Sequence, residues 1–437
     1  MTRELLSAED ARILALESGT VRGHTCKVIV IAGERSAEQL RAHLEERLGA
    51  VPRLRQRLDP GAGPPAWSDD PGFSLERHVI DRGALDDVGL RRLVGAAMAT
   101  PLDRGHPLWA MDVVSPLAGG RTALVWRIHH AVADGMTSMR MARELLLEGT
   151  AEERPASRPG SGQRPPGRLP HRMASALRTA AHIPRTLRRE LGRRAIPSPL
   201  DRPVGPRREV AFVDAELEEL RRIGHAAPER ATVNDVALSA VGAGLRAWLD
   251  QLGAPAEGLR VKVPVSLHQP GEPDTANRDS FMVVDLPLEP DPVGRLVAVA
   301  RETRKSKQRH DAQTLDAFFR DLSHLSRSLE RHAEHWAMSP RVFTLNVSNV
   351  PGPRGPQSVL GAPVLEFHSL AEIAHGHALR VAIVSACGRI SFGLCADSDA
   401  IDGLDLIARG IGREIDLLGD AVEGARAIRA GISERGP

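Results

Sequence analysis

The 437-residue chain predicts a mixed α/β (α+β) protein of two lobes, and three observations carry that expectation. Runs rich in β-branched residues exchange with stretches of helical period, the exchange occurs twice, and a segment of abruptly different composition separates the two occurrences. At roughly 150 residues per domain the length also exceeds one core. The expected division is an N-terminal lobe over 1–150, an Arg/Pro-rich basic linker over 151–208 and a C-terminal lobe over 209–437.

In the first lobe, TCKVIVIA (25–32) reads as a strand, and SAEQLRAHLEERL after it as a helix, because Leu40, Leu44 and Leu48 recur every four residues. TALVWRIHH (122–130) and the stretch from Met136 to Leu147 repeat the exchange, with Met136, Met139, Ala142, Leu145 and Leu146 on one helical face. Beyond the linker, EVAFVDAE predicts a strand and TVNDVALSAVGAGLRAWLDQLG a long helix capped by Thr232 and stopped at Gly253. LRVKVPVSL (259–267) alternates as a strand does, and 294–335 reads as one or two surface helices. ALRVAIVSACGRISFGLCAD predicts a hairpin turning at Gly388-Arg389, followed by a last helix from Asp402 to about Leu418.

Composition narrows the function classes. Hydrophobic residues at 42% and charged residues at 26% exclude disordered and fibrous chains. Aromatics are 3% and tyrosine is absent, which speaks against stacking surfaces for nucleic acid. Lysine occurs only at 27, 262, 305 and 307, so the cations are almost all arginine, a skew that matches a GC-rich coding sequence. Cys26, Cys387 and Cys395 have neither metal-ligand nor disulfide-framework spacing and suit a reducing compartment. No secretory leader and no apolar run near the roughly 18 residues of a spanning helix is evident, so a cytoplasmic protein, soluble or peripheral, is expected.

The linker carries fourteen arginines between Arg154 and Arg208 against Glu190 and Asp201. Its middle reads as an amphipathic helix kinked at Pro184, either a solvated connector or an interfacial element. In the second case Met173, Leu177, Ile183, Leu187 and Leu191 face lipid while the arginines face anionic head groups. Nucleic acid is not expected as a partner, because the basic charge is confined to one Pro-rich segment without interleaved aromatics.

The chemistry concentrates in HHAVADG, His129 to Gly135. A metal site, a proton-transfer site and an ordinary turn all need consideration. If LVWRIHH is a strand, Leu124, Trp126, Ile128 and His130 share one face while Val125, Arg127 and His129 share the other. Two histidines pointing apart disfavour a shared metal, and no H-E-x-x-H or C-x-x-C spacing restores one. His130, on the apolar face, is the better general base, since burial would keep it neutral. Asp134 either orients the histidine or pins the loop by pairing with an arginine. Gly135 allows positive φ or close approach at the turn.

Further residues carry a family resemblance. PLDRGHPLWAMDVV, HHAVADG, TVNDVALSAV, PVS at 264–266, and NVSNVPGP followed by SFGLCADSDAI resemble the bacterial wax ester synthase/diacylglycerol acyltransferase family. The likeness runs from PRLRQRL and ERHVI to the final helix. It implies two chloramphenicol-acetyltransferase-like lobes with an active-site tunnel between them. It also implies transfer of a fatty acyl group from acyl-CoA, a substrate rather than a cofactor, to the hydroxyl of diacylglycerol or a long-chain alcohol. His130 is then the base, with no cofactor and no metal, and Asp134 is mainly structural. His129 supports the site, and Gly135 gives the turn.

The resemblance further assigns Pro107, Leu108 and Trp109, and likewise Asn234 and Asp235, to the site or acceptor pocket. Trp109 reads as core packing before substrate contact. Asn277, Ser348, Asn349 and backbone amides near Gly135 are the expected oxyanion donors. Ala276, Arg380 and Cys387 depart from the family's usual residues, and they bear on the acceptor more than on the chemistry. Two alternatives stand beside this reading: condensation on a carrier-bound thioester, and a non-catalytic lipid-binding protein seated on a membrane or lipid-body surface. Acyl chain length, acceptor and oligomeric state are left open by the sequence.

Overall fold

A computed structural model describes residues 3–59, 61, 63–149, 196–256, 258–266, 279–308 and 339–433. In chain order the N-terminal elements are β1 (Arg3–Leu5), α1 (Ala8–Leu16), β2 (His24–Ile31), α2 (Ala37–Arg47), β3 (Gln56–Leu58), β4 (Ala66–Asp69), α3 (Leu75–His78) and β5 (Val79–Asp81). There follow α4 (Asp87–Ala99), β6 (Trp109–Leu117), β7 (Arg121–His129), α5 (Gly135–Leu145), β8 (Arg208–Glu216), α6 (Leu217–Ala226), α7 (Val233–Gln251) and β9 (Arg260–Ser266). The last are β10 (Asp279–Asp285), α8 (Pro292–Gln308), β11 (Leu345–Pro351), β12 (Ser358–Val359), β13 (Ala362–Ala371), β14 (Leu379–Ala386), β15 (Arg389–Asp397) and α9 (Leu404–Ser433).

The chain folds into two compact units that interleave in sequence. Unit 1 holds Met1–Glu152, Arg202–Leu217 and Asn349–Ala408, and unit 2 the remainder. The expected C-terminal lobe, 209–437, therefore does not correspond to one unit. The reason is pairing: β13 runs antiparallel to β2, with Phe367 opposite Ile29 and Ser369 opposite Lys27. Of the expected linker, only 196–208 falls within the described residues.

Unit 1 is built on a six-stranded sheet in the order β12-β13-β2-β7-β6-β5, antiparallel except for β5 beside β6. Alternation sorts its side chains as the sequence predicts. Ile29, Ile31, Leu124, Trp126 and Ile128 enter one core with Leu40 and Leu44 of α2 and Met139, Ala142 and Leu145 of α5. Cys26, Val28, Val30, Ala123 and Val125 enter another with Leu90, Val94 and Met98 of α4. Helix α2 begins at a capping box, Ser36 with Gln39. In the same unit, β14 and β15 form a hairpin and β15 pairs with β8. The hairpin turn is Cys387-Gly388 rather than Gly388-Arg389, both residues having positive φ, and Ala386 faces Arg389 across it. Met136 departs from its expected face. It is 41% exposed, because it lies in the first turn of α5, before the buried stripe begins.

In unit 2, β10 pairs antiparallel with β9, and β11 pairs in parallel with β9 through Leu345 and Asn346. Thr232 caps α7 as expected, and Gly253 stops it with φ +62°. Helix α8 spans Pro292–Gln308, and the rest of the stretch predicted as surface helix, 309–335, lies outside the described residues. A buried Arg295–Glu414 pair at 2.7 Å ties α8 to α9, and Glu414 also accepts from Ser239 of α7 at 3.3 Å. Helix α9 continues well past the predicted Leu418, to Ser433.

Candidate active site

Strand β7 ends at His129, so His130 is the first residue beyond it. Three backbone bonds fix that end. The His129 amide donates to Leu108 O at 3.0 Å, the His130 amide donates to Gly23 O at 2.9 Å, and His129 O accepts from Val132 N at 2.9 Å. The two imidazoles differ in environment, His129 being buried and His130, past the strand end, only half-buried. His129 is 1% exposed, and its Nδ1 accepts from the Ala131 amide at 3.0 Å. That bond leaves the proton on Nε2 in the neutral ring, 3.4 Å from Glu17 Oε1. Glu17 also takes Arg104 Nε at 2.8 Å. Burial pushes the Glu17 carboxyl up, but contacts with His129 and Arg104 outweigh it and hold it below its ordinary value.

Gly23 makes room for this arrangement. Its φ is +67°, and a Cβ there would stand 2.7 Å from His129 Nε2. Beside it, His24 is wholly buried, and burial first, then the charge of Arg127, keeps it neutral.

His130 is half-buried, and burial drops it to about 3, with the charges of Arg380 and Lys27 adding to the shift. It is a neutral imidazole at physiological pH, as a base must be before it acts. Lys27 is 1% exposed and donates from Nζ to Ser369 Oγ at 2.7 Å. Burial brings its ammonium down to about 8, against the pull of the Cys26 thiolate form and of Asp134. The two cations oppose charge on the imidazole and favour negative charge on an oxygen beside it.

Asp134 is the N-cap of α5, its side chain accepting from Thr137 N at 2.6 Å. It pins the loop through a helix end, not through an arginine, among the bonds described. Gly135 does not need positive φ. Its role is close approach: a Cβ would lie 2.9 Å from Val350 Cγ2, so only glycine lets the chain after Asn349 reach the start of α5.

The PLW segment lies in unit 1. Leu108 supplies the carbonyl that positions His129. Trp109 is buried, donates from Nε1 to Leu54 O at 2.8 Å and stacks on His78 with centroids 4.4 Å apart. Pro107 is buried beside them. Asn234, Asp235 and Ser348 belong to unit 2. Asp235 is the capping-box residue of α7, with Oδ2 accepting from Thr232 N at 2.8 Å and Oδ1 from Thr303 Oγ1 at 2.6 Å. Asn277 lies outside the described residues. Among the described residues no three His, Cys, Asp or Glu side chains group as metal ligands, and no helix is long and apolar enough to cross a membrane.

Sequence reasoning passed over Glu17, Gly23 and Lys27 as site residues. Only Lys27 left a signal, a lone lysine inside the apolar run TCKVIVIA.

Comparison with known proteins places the fold first. The chain superposes on the wax ester synthase/diacylglycerol acyltransferase from Marinobacter aquaeolei VT8 with a TM-score of 0.71 at 23% identity, covering 96% of this chain and 100% of that one. The first condensation domain of the CDA synthetase superposes with a TM-score of 0.59 at 18% identity, covering 96% and 97%. These likenesses define the fold class, a two-unit mixed α/β architecture shared by acyltransferases and condensation domains.

Residues 6–237 match the wax ester synthase/diacylglycerol acyltransferase catalytic domain and residues 275–419 the WS/DGAT C-terminal domain. A putative diacylglycerol O-acyltransferase of Mycobacterium tuberculosis is 30% identical over 91% of this chain and 92% of its own length. The O-acyltransferase WSD of Acinetobacter baylyi is 25% identical over 80% and 82%. The chain belongs to the wax ester synthase/diacylglycerol acyltransferase family, and it is an acyltransferase.

Proposed function

We propose that the protein moves a fatty acyl group from acyl-CoA to the hydroxyl of diacylglycerol, of a long-chain alcohol, or of both, with His130 as general base. The observation that carries this reading is the position of His130: just past the end of β7, half-buried, neutral, and locked through its own amide. The acceptor oxygen attacks the thioester carbonyl carbon while its proton passes to the imidazole. The tetrahedral intermediate then expels the CoA sulfur, which takes the proton back and leaves as thiol, so ester and CoA are the products.

A base brought down to about 3 is weak in the resting site. Negative charge building on the substrate beside it raises its basicity as the proton moves. Proton transfer of this kind contributes about 10²–10⁴ in rate, and positioning supplies much of the rest.

Asp134 and His129 hold the loop, and Leu108 and Trp109 hold the strand end. Asn277, Ser348, Asn349 and amides near Gly135 are the proposed oxyanion donors, and Asn234 with Asp235 supports the acceptor pocket, Asp235 by fixing the start of α7. A peripheral seat on anionic membrane or lipid bodies through 151–208 belongs to the same proposal and is supported by the arginine excess there. Exchanging the arginines from 172 to 194 for Gln should cut co-sedimentation with anionic vesicles. Unchanged partitioning would mark a plain connector.

The test of the reaction is purified protein with a panel of acyl-CoAs against dioleoylglycerol and hexadecanol. Released CoA thiol and the ester identified by mass spectrometry are the readouts. Ester formed in step with CoA is expected, and no CoA release from any pair contradicts the proposal.

A further inference from the structure

Arg380 is the largest charge acting on His130, and the transfer chemistry above uses it only through its field. It lies near the start of β14, whose residues Val384 and Ala386 enter the same core as Trp126 and Ile128. Alternation puts Arg380 on the same strand face as Val384 and Ala386, opposite Cys395 of β15. Its Nη1 donates to Glu372 O at 3.0 Å, and the Glu372 amide donates to His24 O at 3.2 Å. Gly23, next to His24, holds the His130 amide. Two backbone hydrogen bonds thus tie the guanidinium to the strand end that carries the base.

The rest of the fork is not satisfied in the same way. Arg380 Nε is buried without a hydrogen-bond partner among the described residues. Glu372 does not supply one, since its Oε1 accepts from Arg208 at 2.9 Å and its Oε2 is itself unpartnered. A buried N–H of this kind costs free energy until an oxygen is brought to it. Yet the residue keeps accessible surface, as His130 does. Lys27, the other cation near the base, is fully enclosed and bonded to Ser369, so it reaches the site only through its field.

We propose that Arg380 is a specificity-determining contact, its guanidinium taking a second oxygen of the acyl acceptor. The site then favours an acceptor whose reacting hydroxyl has an ester oxygen beside it, as in diacylglycerol, over an alcohol that offers none. This rests on the acyl-transfer reading above. A plain long-chain alcohol leaves the donor unpaired, and an unpaired buried donor discriminates by about 10–100-fold in kcat/KM.

The experiment compares kcat/KM for 1,2-dioctanoylglycerol, for a branched alcohol of the same shape with methylenes in place of the esters, and for hexadecanol, in one detergent at pH 8. Wild type should prefer the diacylglycerol to both alcohols. In Arg380→Met the ratio of diacylglycerol to hexadecanol should fall about 10–100-fold. Arg380→Lys, which keeps the charge but not the fork, should fall between.

Equal losses for both acceptors in Arg380→Met, with the ratio unchanged, would mean that Arg380 acts only through its charge on His130 and would overturn the inference. So would a wild type indifferent to the ester oxygens, a result independent of whether any variant folds. A wild type that turns over no acceptor overturns the acyl-transfer reading and this inference with it. An active wild type with an unchanged ratio in the variants overturns the inference alone.

Discussion

Replacing Gly23 by Ala tests how the site is held, because two separate costs can be worked from the geometry. With φ at +67° an alanine pays for the left-handed conformation, about 1–2 kcal/mol. Its Cβ would also stand 2.7 Å from His129 Nε2 and 3.0 Å from Glu17 Cγ. The His129 ring is enclosed and cannot swing away, so overpacking adds about 1–3 kcal/mol. Together the loss should be about 2–5 kcal/mol, read from urea unfolding of the full chain by tryptophan fluorescence. Relief by backbone movement displaces Gly23 O, the acceptor of the His130 amide, and a shift approaching 1 Å costs about 10²-fold in turnover. Gly83→Ala is the control. Its φ is +68°, but nothing lies within 4 Å of the added Cβ, so it should lose only the conformational term and keep its activity. A Gly23→Ala protein within about 0.5 kcal/mol of wild type and within twofold of its turnover would refute the reasoning.

Asp134→Ala should cost about 1 kcal/mol through the lost cap of α5, while Asp134→Asn, a good cap itself, should keep that stability. Equal melting temperatures for the two variants would show that capping is not the role of Asp134. The pH dependence follows from His130 at about 3. The base is already neutral at pH 5, so kcat/KM should show no acidic limb above pH 5, and one near the ordinary imidazole value of about 6.5 would contradict the burial argument. The sign for stability is the same. A histidine depressed in the folded state contributes stability that is present above about 6.5 and is lost as pH falls toward 3, because the unfolded chain then binds the proton first.

Local pattern made much of this legible in the sequence. Alternation along LVWRIHH separates His130 from His129, and the structure keeps Leu124, Trp126 and Ile128 in one core and Ala123 and Val125 in the other. Thr232, Gly253 and the helix from Ala37 to Arg47 follow from capping and period alone. What local pattern does not carry is long-range register. Gly23 meets His129 because His24 pairs with His129 across β2 and β7, more than a hundred positions apart. Lys27 meets Ser369 only because β13 joins the same sheet, which also draws 349–408 into unit 1. Gly135 was legible as a special position but not in its reason, since Val350 comes from the far end of the chain. The hairpin was placed one residue late because Cys387, not a residue expected at positive φ, occupies the first turn position.

In the proposed reaction His130 takes the proton of the acceptor hydroxyl. The most direct measurement is single-turnover acyl transfer by His130→Ala, beside wild type and His129→Ala, with folding checked by thermal melting. His130→Ala should melt near wild type and form no ester above the uncatalysed rate, while His129→Ala should retain measurable transfer. Substantial ester formation by folded His130→Ala would contradict the proposal.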